Sequence, residues 1–253
     1  MNALSNANDD RGLAPARAAS VQTYARIAGV LFLLSIVAGF VGEAYVPSKL
    51  IVFGDATVTA KNITTSNSLF RLGFASYLVE ALCDVTLSLI LYVLLRPVQK
   101  NIALLAAFFG LVSTALYGVA ELFYFAASII LGGADALKAF SPDQLNALAL
   151  LSLKVFGYGG GIFMVFYGVA SVLRGYLIFR SGYLPRFLGV LMVLAGLGFV
   201  TKNFALVLAP AYASDVLLLP MFLAAVSLTV WFLVRGVDVA KWQAKTAGST
   251  STS

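Results

Sequence analysis

Apolar residues run for the width of a bilayer six times along this chain, at 24–46, 69–95, 102–131, 145–179, 187–208 and 216–234. Each run reaches the ~20 residues that a helix needs to cross ~30 Å of hydrocarbon. No water reaches backbone amides at that depth, so such a segment satisfies its own hydrogen bonds only as an α-helix. The pattern predicts an all-α integral membrane protein, a six-helix bundle. Residues 21–237 form its one six-span domain, between a disordered N-terminal tail (1–20) and a polar C-terminal tail (238–253). The last eight residues are all Ser, Thr, Gly or Ala, a composition that buries too little apolar surface to order itself. The first run exceeds the 7–15 residues of a signal-peptide core and reads as a span. Ser141-Pro142-Asp143-Gln144 combines a cap, a first-turn proline and a glutamine three residues after the cap, so the fourth helix is expected to start there. The stretch 47–68 reads as the longest connection.

Composition narrows the chemistry. Hydrophobic residues make up 60% of the 253 and charged ones 11%, under half the ~25% charged share of soluble domains. There is no histidine and one cysteine, Cys83. A four-ligand zinc site, histidine-ligated haem, serine–histidine or cysteine–histidine catalysis and an intrachain disulfide are all excluded. The chain calls for no cofactor and no metal, and Cys83 reads as a small apolar filler.

The net charge of +6 is distributed by side rather than in one patch. Arg11, Arg17, Arg26, Arg96, Lys100, Arg174, Arg180, Arg186, Arg235, Lys241 and Lys245 fall on one side of the predicted membrane. Only Lys49, Lys61 and Lys138 fall in the opposite loops. Lysine and arginine concentrate in cytoplasmic loops, so both termini are expected to be cytoplasmic. The basic side has anionic lipid headgroups as its partner; nucleic acid is not required to explain it.

Ionisable residues inside spans are the main functional clue, because each is costly in hydrocarbon. They are Glu43, Arg71, Glu80, Asp84, Glu121, Lys154 and Lys202. Most sit in the half of the spans away from the termini, which predicts a polar cavity facing outward. Glu80 and Asp84 are four apart and share a helix face. Arg71 is half a turn out of phase with Glu80, so it is expected to meet Glu43 at the outer rim or to reach the headgroups. Lys154 and Lys202 are then the expected counter-charges, with Asn203 lining the same cavity. Two readings stay open: the charges pair to fix the helices, or Glu80 and Asp84 bind a proton, a cation or a cationic ligand. Gly157, Gly159, Gly160 and Gly161 in the fourth run are read either as a close-packing face or as a kink at a binding site.

Several strings resemble a known bacterial membrane family. They are LIVFGDATVTAKNI (50–63), LFRLGF (69–74), LYVLLRPV (91–98), ALLAAFF (103–109), GGAD with AFSPDQL (132–145), GYLIFRSGYLPR (175–186) and VWFLVRGV (230–237). In order and spacing they resemble the proteins grouped as domain of unknown function 4386, over about residues 24–237. The resemblance implies a six-span bacterial inner-membrane protein and no particular activity. Arg71, Asp84 and Arg96 match the family pattern, whereas Glu80, Glu121 and Lys154 are particular to this chain. Relatives carry Arg at the place of Gly110, Glu at Asn67, His at Phe156 and Ala170, Asp at Gly161 and Glu at Ala225. Chemistry that uses those groups is expected to be lost or altered here.

The first functional expectation is a multi-pass inner-membrane protein that binds or transports a small solute or proton in an outward-facing polar cavity. Its ligand-binding residues would be Glu80, Asp84, Glu121, Lys154, Lys202 and Asn203, with Glu43 and Arg71 at the outer rim. The alternative is a structural or accessory membrane protein whose charge pairs only stabilise the bundle. A lipid-modifying membrane enzyme is the weakest reading, since no nucleophile–base pair is recognisable.

Overall fold

The computed structural model describes residues 2–133 and 135–250, with side chains described for 20–133, 135, 137–248. The elements are α1 (Asn2–Gly39), a π-helical segment (Phe40–Tyr45), α2 (Val46–Leu50), α3 (Ala56–Thr65), α4 (Asn67–Leu95), α5 (Lys100–Leu131), α6 (Pro142–Ser181), α7 (Arg186–Leu208), α8 (Leu219–Val234) and α9 (Val239–Thr250). Among the described residues, six stretches are long and apolar enough to cross a membrane: Ser20–Leu50, Asn67–Leu95, Lys100–Leu131, Pro142–Ser181, Arg186–Leu208 and Asp215–Val234. They match the six apolar runs one for one. Many large side chains on them, such as Leu82, Leu122 and Phe222, face outward, which suits hydrocarbon rather than water.

Helix α6 starts where the capping signal placed it. Ser141 N donates to Gln144 Oε1 at 2.8 Å, and Gln144 N donates to Ser141 Oγ at 3.3 Å. The helix runs for 40 residues in all and is unbroken at Gly157–Gly161. The packing reading holds at Gly159 and Gly161, where a Cβ would lie 2.9 Å from Ala120 Cβ and 3.1 Å from Asn203 Oδ1, but not at Gly157. A Cβ on Gly157 would meet nothing, whereas one on Gly168 would lie 2.7 Å from Gly196 O and one on Gly175 2.7 Å from Gly189 O. The close contact of α6 with α7 is thus made by two glycines seven apart on each helix, facing each other. Small residues let backbones approach, which is how helices gain packing where lipid removes the hydrophobic drive.

The predicted long connection at 47–68 is largely helical. Asp55 caps α3 by accepting from Val58 N at 2.9 Å, and Thr59 ties back to Val52. These local bonds leave no apolar signature long enough to read as a span. Within the polar C-terminal stretch, α9 packs back on the bundle, with Trp242 buried and its Nε1 donating to Leu94 O at 2.9 Å. The tails expected to be disordered, 1–20 and 246–253, are helical backbone within α1 and α9 at 2–20 and 246–250; residues 1 and 251–253 lie outside the described residues.

Two apolar cores share the bundle. One, at the end carrying the C-terminus, gathers Val21, Ala25, Leu91, Leu94, Leu177, Leu188, Phe232 and Trp242. The other, toward the far end, gathers Val46, Leu50, Ile63, Phe70, Tyr77, Tyr117, Tyr124 and Leu153. Along α4 the far core ends near Ala81 and the other begins at Leu87. The functional candidates lie at and around that gap.

Candidate ligand site inside the bundle

The site is assembled from four elements. The π-helical segment brings Glu43, helix α4 brings Tyr77, Glu80, Asp84 and Ser88, α5 brings Gly110, Tyr117, Glu121 and Tyr124, and α6 brings Tyr167 and Arg174. On α4, Tyr77 to Ser88 spans eleven residues, about 16 Å of rise. The polar groups therefore form a seam along the bundle interior rather than a single cluster.

At the upper end Tyr77 donates to Gly42 O at 2.8 Å, across from the π turn. A π bulge inserts an extra residue into a helix and turns its carbonyls out of register, and such bulges recur at functional sites. Gly42 leaves room for the Tyr77 ring, which lies 3.1 Å from where a Cβ would stand. Tyr124 stacks on Phe70 with ring centroids 4.3 Å apart and donates to Phe70 O. Tyr77 packs edge-on against Tyr117, Tyr124 and Phe156. These rings make the apolar wall of the seam.

The carboxyl groups stand among them. Glu80 accepts from Tyr117 at 3.0 Å and lies against Gly39 of α1. Glu121 is 3% exposed, and neither of its oxygens has a hydrogen-bond partner. It acts electrostatically on Tyr77, Glu80, Tyr117 and Tyr124, so it faces the seam. Glu43 is exposed at the rim and within electrostatic range of Glu80, Asp84 and Glu121. Among the described residues no three Asp, Glu or Cys side chains converge as a metal site would require.

The cation facing the seam is Arg174, which charge counting had placed at the cytoplasmic surface. It is 5% exposed, and its Nη2 donates to Ser88 Oγ at 3.0 Å. A Cβ on Gly110 would fall on its guanidinium, so glycine there makes the space. Seven residues separate Arg174 from the end of α6 at Ser181, about 10 Å of rise into the bundle. That depth was the available signal.

The expected counter-charges are corrected. Lys154 is exposed and forms no ion pair among the described residues, and Lys202 pairs with Asp215 at 2.7 Å. Lys202 still lies within electrostatic range of Glu43. Arg71 is exposed and does not pair with Glu43, which leaves its headgroup-facing alternative. Asn203 is buried, donates to Phe199 O at 2.8 Å and faces Gly161. Of the expected site residues, Glu43, Glu80, Asp84 and Glu121 are spread along the seam, while Lys154, Arg71 and Asn203 lie outside it. An open cleft of about 430 Å³ does exist at the far end, but its walls are Thr57, Lys61, Thr64, Leu131, Phe140 and Asn146, not the carboxylates.

Six apolar spans around a polar interior define a multi-pass α-helical membrane protein. The family model described as "Domain of unknown function (DUF4386)" matches residues 27–236, and the chain belongs to that family. An uncharacterized protein of Archaeoglobus fulgidus is 29% identical over 153 residues, 60% of this chain and 76% of that protein. No solved structure matches.

Proposed function

We propose that this is a bacterial inner-membrane protein whose acidic seam binds a proton or a small cationic solute. One observation carries the reading: Glu121 is buried with both oxygens unpartnered. An ionised carboxylate in such surroundings costs several kcal/mol, which a proton or a bound cation removes. Glu43 and Glu80 add negative charge near it, Asp84 stands one turn below Glu80 on α4, and Arg174 is the opposing charge at the lower end. Orientation follows from the basic loops, which face the cytoplasm.

A second reading treats the seam as a fastening. It rests on the bonds between helices, Tyr117 to Glu80 and Arg174 to Ser88. Thermal stability separates the two. In lipid nanodiscs the wild type is expected to gain stability as pH is lowered, because the proton neutralises a buried carboxylate, or on addition of a cationic solute. Glu121→Gln and Glu80→Gln are expected to fold and to lose that response. Unfolding of both, with no response in the wild type, supports the fastening and defeats the binding reading.

A further inference from the structure

Arg174 is a buried permanent cation held by a neutral hydroxyl, with its nearest carboxylate out of pairing reach. We propose that Arg174 is an electrostatic plug that closes the seam toward the cytoplasmic end and keeps protons and cations from crossing the bundle. The proposal rests on the reading that the seam takes a proton or cation.

The geometry around the guanidinium has three parts. Above it, Asp84 stands one turn from Ser88 on the same face of α4, beyond ion-pair distance but within electrostatic range. Glu80 lies one further turn up. Tyr167, seven residues earlier on α6, faces the same region, and Glu43 acts on Asp84 from the π-helical segment. Beside it, α5 presents Gly110, whose missing side chain leaves the guanidinium its place. Below it lies a crevice walled by Leu91, Leu95, Ala103, Ala106 and Leu177, too tight for a water molecule. Beyond that crevice is the apolar core of the cytoplasmic end.

A guanidinium does not deprotonate in a protein, so its positive charge is present at every working pH. A fixed positive charge at a constriction repels hydronium and metal cations alike, a device that selective pores use. Carboxylates above Arg174 attract what the arginine then stops. Ser88 holds the side chain level with Gly110, across the bottom of the seam, instead of letting it rise to neutralise Asp84.

The experiment is proton flux into liposomes that hold the reconstituted protein and a trapped pH-sensitive dye, under an imposed pH gradient with the membrane potential clamped. The wild type and Arg174→Lys are expected to be tight. Arg174→Gln is expected to raise flux severalfold. The double variant Asp84→Asn with Arg174→Gln removes both charges, so neither is left buried alone, and it is expected to fold and to leak as well. Folded Arg174→Gln and double variants as tight as the wild type overturn the plug. So does an equal leak from Arg174→Lys, or failure of both glutamine variants to fold, which makes the arginine a structural tie. Glu121→Gln keeps the two proposals separate: a wild-type acid response that survives in Glu121→Gln, beside a leak from Arg174→Gln, overturns Glu121 as the binding group and leaves the plug, whereas loss of the response with no leak from Arg174→Gln overturns the plug alone.

Discussion

At the scale of single residues, depth and facing decide what a charge does. Lys154 was expected inside because it falls within an apolar run, yet it lies on an exposed face of α6. Arg174 was expected at the surface because Arg180 and Arg186 follow closely, yet it is buried. Hydropathy counts charges along the chain; only helical phase says which way each one points. Phase also explains the success with Glu80 and Asp84, whose spacing of four places them on one face toward the bundle. Glu121 was legible as a charge in a span, but its lack of partners depends on neighbours from α4 and α6 that no single segment encodes. The Tyr117–Glu80 bond gives a prediction at this scale. Tyr117→Phe removes the hydroxyl without emptying the ring's place, so it should cost about 0.5–1.5 kcal/mol in reversible unfolding in detergent. An unchanged midpoint contradicts the bond.

At the scale of elements, helices α1, α4, α5, α6, α7 and α8 were readable because their apolar length announced a span, whereas the short α2 and α3 were not. The helix start at Ser141 was readable because a capping box is a local, four-residue signal. The π segment at Phe40–Tyr45 was not, since its extra residue leaves hydropathy unchanged. The glycine pairs Gly168/Gly196 and Gly175/Gly189 carry a signal of their own, a spacing of seven on each helix. Gly196→Val places a branched side chain against the backbone of α6, and overpacking of this kind costs about 1–3 kcal/mol or more. The melting temperature in nanodiscs should fall, and Gly157→Ala, where a Cβ meets nothing, should leave it unchanged or raise it.

Helix α9 carries its own pH dependence. Asp238 accepts from Lys241 N at 3.2 Å and pairs with Lys241 Nζ at 3.1 Å. The Lys241 backbone hydrogen bond, then its side-chain one, holds the Asp238 carboxyl below the usual carboxylate range. A depressed folded value stabilises the helix start at neutral pH, and that contribution is lost as pH falls through the folded value. Trp242 reports the docking. In a Trp231→Phe background its emission should shift toward that of a solvated indole below the ordinary carboxylate range, and Asp238→Asn should show the shifted emission at neutral pH. Emission that ignores both changes contradicts the cap.

At the scale of the molecule, the six spans and their order were legible because a bilayer leaves an apolar segment of that length few choices. The functional geometry was legible only in part. Individual carboxylates were visible, but their gathering into a seam between two cores depends on four elements meeting at a common depth. The outward cavity expected from charge depth takes another form: the open cleft at the far end is lined by α3 and the ends of α5 and α6, while the carboxylates line the packed interior. A packed, acidic interior suits a proton, which needs no cavity volume. Infrared spectroscopy tests that most directly, comparing wild type and Glu121→Gln in nanodiscs at neutral pH with no added solute. A carbonyl stretching band of a protonated carboxylic acid in the wild type, missing from the variant, is the expected result. Identical spectra with no such band would contradict the claim that the seam holds a proton.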